Sequence, residues 1–151
     1  MGVSTDGRIC FGYCFEDGYE FPWDTVGLDE WWLEVCGFKH SFNLYDATGE
    51  YIGGVKPSDE KITAYFKEKM DFQKANPIPI VEVNYCAGEC PMYILAVPSS
   101  LVFCSRGDPT EIHPEKLTVT EEEKEILQHF CNDYKLKPLG NMKWYLTSYW
   151  G

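Results

Sequence analysis

From Phe15 to Asp24 the chain interleaves rings and carboxylates: Phe15-Glu16-Asp17-Gly18-Tyr19-Glu20-Phe21-Pro22-Trp23-Asp24, followed by Leu28-Asp29-Glu30-Trp31-Trp32-Leu33-Glu34. Such a stretch cannot be buried whole, because unpaired carboxylates resist leaving water. Nor can it be exposed whole without leaving several large rings in solvent. Gly18, Pro22 and Gly27 break any regular element before Leu28. Two arrangements satisfy these constraints: a turn anchored by its rings over a core, or an acidic surface carrying aromatic contact points.

The charge distribution sharpens the second possibility. Acids outnumber Lys and Arg 24 to 13, and −7 of the net −11 falls in residues 1–34, where eight acids face Arg8 alone. Residues 35–80 are balanced, six against six. A direct binder of DNA or RNA needs a basic stripe, and there is none here. Anionic lipid is disfavoured for the same reason. An acidic excess serves solubility. It also makes a patch that meets a basic partner surface, such as one that normally holds nucleic acid.

With 151 residues the chain has the length of one ordinary domain, with a core that needs no staples. No apolar run approaches the roughly 20 residues of a membrane span. No basic start leads into an apolar run of the secretory kind. After Met1-Gly2, Asp6 stands where an acylation signal has Ser or Thr. A cytosolic chain is expected, with its seven cysteines as reduced thiols.

Local patterns lay out the elements. Ile9, Phe11, Tyr13 and Phe15 alternate with Cys10, Gly12 and Cys14, as in an interior strand with two apolar faces. Leu28, Trp31, Trp32, Val35 and Cys36 recur at helical spacing, with Asp29 and Glu30 in the first turn and Gly37 as the stop. Phe42–Asp46 and Glu50–Ile52 flank a turn and read as a hairpin. Ser58 caps a helix to about Ala75, whose inward stripe is expected at Ile62, Tyr65, Phe66 and Met70. Strands follow at 78–85 and 92–97, then at 101–104. Thr120 and Glu123 form a capping box for a helix that turns Ile126, Leu127, Phe130, Cys131 and Tyr134 to one side. Lys143–Tyr149 reads as a further strand. The predicted architecture is α+β: a single domain over 1–151 with a mostly antiparallel sheet and about three helices packed on it.

The chemistry-bearing residues do not assemble into a catalytic signature. Cys10-x3-Cys14 and Cys86-x3-Cys90 invite a zinc site, yet four residues of strand span about 13 Å, while two thiolates on one zinc lie within about 5 Å. A turn at Gly88 would let the second pair converge, but two ligands do not close a site. His40, His113 and His129 each stand alone, without a neighbouring thiol and orienting group. Cys104-Ser105-Arg106 lacks a phosphate-cradling loop. Asp46–Glu50 lacks the ligand spacing of a calcium loop and reads as a turn, as does Arg106-Gly107-Asp108. No metal or cofactor is expected. Trp31, Trp32, Trp144 and Trp150 read as core residues ahead of contact residues, since large aromatics are mostly buried.

Several phrases resemble small accessory proteins of tailed bacteriophages. They are Gly2-Val3-Ser4-Thr5-Asp6-Gly7-Arg8-Ile9, Gly12-Tyr13, Phe21-Pro22-Trp23, Asn84-Tyr85-Cys86, Pro91–Pro98 and Ser148-Tyr149-Trp150-Gly151. The resemblance implies a setting, the cytoplasm of an infected bacterium, and no assigned activity. Small acidic phage proteins of this kind bind and disable defence machinery, including CRISPR effectors and restriction enzymes. The expected function is therefore a non-enzymatic, acidic, anti-CRISPR or anti-restriction type inhibitor that occupies a basic surface of a host protein. It would use Trp23 as anchor and Glu16, Asp17, Glu20, Asp24, Asp29 and Glu30 as its field. Two alternatives remain open at this point: a small enzyme or sponge that holds a nucleotide signal in an aromatic pocket, and a virion or housekeeping component.

Overall fold

A single strand, β1 (Thr5–Cys14), holds the sheet together by pairing with three others. The computed structural model describes residues 5–150, apart from the side chain of Cys90. The Met1-Gly2 acylation question, Gly151 and any pairing of Cys90 lie outside the described residues. The other elements are α1 (Leu28–Val35), α2 (Asp59–Ala75), β2 (Val81–Ala87), β3 (Cys90–Ala96), β4 (Val102–Ser105), α3 (Glu121–Asp133) and β5 (Lys143–Trp150). The fold is α+β, with a five-stranded, mostly antiparallel sheet and three helices among the described residues.

The chain gathers into two compact units. One comprises the described residues up to Asp24 and from Pro79 onward, and the other is Thr25–Ile78. The first contains the whole sheet and α3, and the second contains α1 and α2.

In the first unit β1 pairs with β5 from Thr5 to Gly12, with β4 from Asp6 to Ile9, and with β3 from Gly12 to Cys14. Strands β2 and β3 form a hairpin, and β2 also meets β5 in a short parallel contact, Cys86 with Tyr149 and Ala87 with Trp150. Pairing thus runs β1–β3–β2–β5 and back to β1, closing a circuit. Gly12 makes the turn from β4 to β3 possible. A Cβ there would lie 2.0 Å from the carbonyl oxygen of Leu95, so only glycine lets the two backbones approach. Inside the circuit Cys10, Val83, Ile94 and Ala96 are fully buried, with Cys14, Val81, Tyr85 and Tyr145 packed against them. Arg8 stitches the circuit, donating from Nη1 to the carbonyl and side-chain oxygens of Asn84 at 2.8 and 2.6 Å.

Helix α3 starts where the sequence says it should. The Thr120 hydroxyl accepts from Glu123 N–H, and the Glu123 carboxylate accepts from Thr120 N–H. Leu127, Phe130 and Cys131 are buried, but Ile126 is turned outward.

The second unit departs more from expectation. Ser58 caps α2 by accepting from Lys61 N–H, yet Phe66 and Met70 of the expected stripe are exposed. The apolar residues of α2 offer two overlapping stripes. Contacts of His40 with Tyr65 and of Phe38 with Phe72 select the one through Ile62, Tyr65 and Phe72. The hairpin expected at 42–52 is reduced to one bridge, Tyr45 to Tyr51. A 3-10 turn, Ile52–Gly54, with left-handed Gly53 and Gly54, ends the pairing at once.

Candidate partner-binding surface

Loop 15–24 folds its rings in and its acids out. Phe15, Phe21 and Trp23 are buried, the last only 2% exposed. The rings form a continuous chain: Phe15 edge-on to Phe21 at 5.0 Å, Phe21 stacked on Trp23 at 4.8 Å, and Trp23 tilted against Phe130 of α3 at 6.1 Å. Tyr93 of β3 closes on Phe21 edge-on at 5.7 Å, and Tyr19 touches both Phe15 and Phe21. Polar groups lock the path. Tyr19 N–H donates to the Glu16 carbonyl at 3.1 Å across a turn with left-handed Gly18. The Tyr19 hydroxyl accepts from Lys137 N–H at 2.9 Å. Trp23 Nε1 donates to Glu82 of β2 at 2.5 Å. Asp24 both accepts from Phe21 N–H through its carboxylate (2.8 Å) and donates its own N–H to the Phe21 carbonyl (3.2 Å).

Trp23, expected as the contact anchor, is therefore a core residue. An indole that stacks on one ring, meets a second and has its N–H satisfied has nothing left to offer a partner. Burial on this scale is worth about 4–6 kcal/mol to the fold. Burial also pushes the carboxyl of Glu82 up, against the pull of the Trp23 N–H, and Asp24 nearby adds to the rise. The Tyr93 phenol is raised by burial and then by Glu82 and Asp24.

The expected acids separate into three kinds. Glu16, Asp17 and Glu20 are exposed and make no ion pair among the described residues. Asp24 is exposed but holds the Phe21 N–H. Asp29 and Glu30 belong to the second unit, in the first turn of α1, where Glu30 pairs with Lys69 of α2. Sequence proximity placed all six in one field, whereas the structure brings together only the first four on one loop. Trp31 and Trp32 are half-buried, with Trp32 Nε1 donating to the Asn76 carbonyl at 3.0 Å. Trp144 and Trp150, expected in the core, are exposed on β5.

The second unit holds a constellation that the sequence hid. His40 lies flat on Tyr65 with ring centres 3.4 Å apart, and Phe38 meets it edge-on at 4.6 Å. Its Nδ1 is 3.3 Å from the Glu68 carboxylate, which also accepts from Ser41 N–H at 2.9 and 3.1 Å. Burial pushes Glu68 up, but the Ser41 N–H and His40 outweigh it and leave the carboxyl below its usual range. Phe38, His40 and Tyr65 border a surface cavity of about 380 Å³. Its lining also includes Glu30, Glu34, Lys39 and Lys69. His40 is spent on holding the 38–41 turn to α2. Tyr65 and Glu68 are one helical turn apart, a spacing that could have drawn attention to that face, but nothing local points to His40.

Two of the thiols are core residues, whereas Cys86 is exposed. Burial raises Cys10 and Cys131 to about 11 each, far from a reactive thiolate. Among the described residues no group of three or more His, Cys, Asp or Glu side chains could hold a metal ion. No helix among them is long and apolar enough to cross a membrane. Comparison with protein-family models, curated proteins and solved structures finds no match to this chain.

Proposed function

We propose that this protein is a non-enzymatic binding protein that sets Glu16, Asp17 and Glu20 against a basic surface of a partner protein. The observation that carries it is the opposition within loop 15–24, where carboxylates with no ion-pair partner among the described residues ride on a buried aromatic scaffold. A charged surface whose backbone is already ordered loses little conformational freedom on binding. Its field accelerates encounter with a surface of opposite sign. The phage resemblance supplies the setting: the partner is a nucleic-acid-handling defence enzyme of the host, of CRISPR or restriction type, with a basic groove. The nucleotide-sponge reading is the weaker one, because Arg8, which phosphate capture would enlist, is engaged by Asn84 and Asp6 and lies over the rings of Phe103 and Tyr149.

The test is parallel capture from a bacterial lysate with the wild-type chain and with Glu16→Lys/Asp17→Lys/Glu20→Lys, followed by association kinetics on the captured protein. The wild type should retain one basic, nucleic-acid-handling protein. The variant should associate about tenfold or more slowly at low salt, with its thermal melt unchanged. Equal capture and equal association rates with an intact fold would overturn the reading.

A further inference from the structure

Aspartate is followed by glycine twice in the chain, at Asp6-Gly7 and at Asp17-Gly18. Glycine has no side chain, so its amide nitrogen can approach the carboxyl carbon of the aspartate before it. How firmly the backbone is held decides whether it does. Asp6 and Gly7 lie inside β1 with a partner strand on each side: Asp6 faces Ser105 and Tyr149, and Gly7 faces Cys104 and Ser148. The Asp6 carboxylate is also drawn to Arg8 at 3.8 Å. Asp17 and Gly18 are instead the two central residues of the turn that Tyr19 N–H closes on the Glu16 carbonyl at 3.1 Å. Gly18 is left-handed there, with φ 73°, and a Cβ built on it would meet nothing within 4 Å. Neither the exposed Asp17 carboxylate nor the Gly18 N–H has a hydrogen-bond or ion-pair partner among the described residues.

We infer that Asp17-Gly18 is a site of self-modification, where aspartate converts to isoaspartate, while the sheet protects Asp6-Gly7. The Gly18 amide nitrogen attacks the side-chain carboxyl carbon of Asp17 and gives up its proton. A new N–C bond forms, the carboxyl hydroxyl leaves as water, and residues 17 and 18 share a five-membered succinimide ring. Water then opens the ring at either carbonyl. Opening at the side-chain carbonyl restores aspartate. Opening at the main-chain carbonyl routes the chain through the side chain of residue 17 and frees its former main-chain carboxyl. One water is lost and one regained, and nothing is oxidised or reduced. At Asp6 the same attack would have to swing the Gly7 nitrogen out of a ladder paired on both sides, and paired core strands are the last part of a fold to open. The product at residue 17 carries an extra main-chain methylene between Glu16 and Tyr19, inside the ring closed by their hydrogen bond, and so displaces the loop's carboxylates. The effect of that displacement on a partner rests on the proposed function, whereas the modification itself does not.

Prolonged incubation of the full chain at physiological temperature in mildly acidic buffer, folded and in urea, tests the inference. Isoaspartate is counted by methyl transfer from S-adenosylmethionine with an isoaspartyl methyltransferase. It is then placed by fragmenting the peptides that contain residues 6 and 17. In the folded protein it should accumulate at Asp17 about tenfold or more faster than at Asp6, because an exposed turn opens far more often than a paired strand. In urea, with both sites freed, the two should react at similar rates. Asp17→Glu, whose longer side chain cannot close a five-membered ring, should remove the signal from the folded protein. Equal accumulation at the two sites in the folded protein, or none at Asp17, would overturn the inference. A bias toward Asp17 that persists undiminished in urea would overturn it too, as would methyl acceptance unchanged by Asp17→Glu. The readout is a covalent bond in the isolated chain, so failure of the partner-binding reading leaves it standing.

Discussion

Loop 15–24 and the outer face of β5 draw on the same residue types and are built inside out with respect to each other. The loop hides Phe15, Phe21 and Trp23 and shows its carboxylates. The strand shows Trp144, Leu146 and Trp150 and carries no carboxylate on that side. The difference comes from the backbone. A loop with a left-handed glycine at Gly18 can turn successive side chains in whichever direction burial and solvation favour. A strand must alternate, so β5, with one face committed to the closed interior, sends every second side chain outward whether or not a cover exists. In the loop, exposure was selected by charge. On β5 it was imposed by pairing. Electrostatic contact at the loop should weaken as salt rises.

The largest expected effect tests the buried half of this comparison. Trp23→Ala should destabilise the protein by about 3–5 kcal/mol, the cost of removing a packed aromatic from a core. Trp150→Ala should stay within about 0.5 kcal/mol, as exposed substitutions do. Thermal or denaturant melts of the two variants side by side decide it. Equal losses would mean that the strand's aromatics are as structural as the loop's.

A smaller effect separates the acids of the loop from one another. Asp24→Ala removes the acceptor of the Phe21 N–H and should cost about 1–2 kcal/mol. Asp17→Ala, which touches no described partner, should lie within about 0.5 kcal/mol. Measured by urea titration, a neutral Asp24→Ala would place that carboxylate with the free field and not with the scaffold.

The smallest effect lies beneath the loop. Because burial lifts the Glu82 carboxyl above its ordinary value, the folded protein binds that proton more tightly than the unfolded chain does. The resulting stabilisation is complete below the ordinary carboxylate range, near pH 4, and is lost as pH rises through the folded value. Glu82→Gln, which keeps an acceptor for Trp23 Nε1, should therefore melt higher than wild type at neutral pH, with the gap closing toward pH 4. A gap that widens on acidification would show that the carboxylate is stabilised as the charged form.

What could be read in advance was local. The capping box of Thr120 and Glu123, the Ser58 cap and the alternation from Ile9 to Cys14 depend on neighbours within a few positions, and each appears where its spacing puts it. The exposure of Glu16, Asp17 and Glu20 follows from the cost of burying unpaired carboxylates, which is a property of the residue type. The inward direction of Trp23 was not legible, because it depends on Glu82 and Phe130, 59 and 107 positions away in sequence, having room for its N–H and its ring. The pairing of His40 with Glu68 was hidden in the same way.

Sequence by itself determined the helix starts, the alternation of β1 and the acidic excess, since propensity, capping and charge are short-range or additive quantities. Tertiary structure alone decided which aromatics are scaffold and which are surface. It closed the sheet through Gly12 and the short parallel contact of β2 with β5. By doing so it committed one face of β5 to the interior and left the other, with Trp144, Leu146 and Trp150, in solvent. The physical reason is that burial is a property of the space around a side chain. That space is made by strands and helices that are neighbours only after the chain has folded.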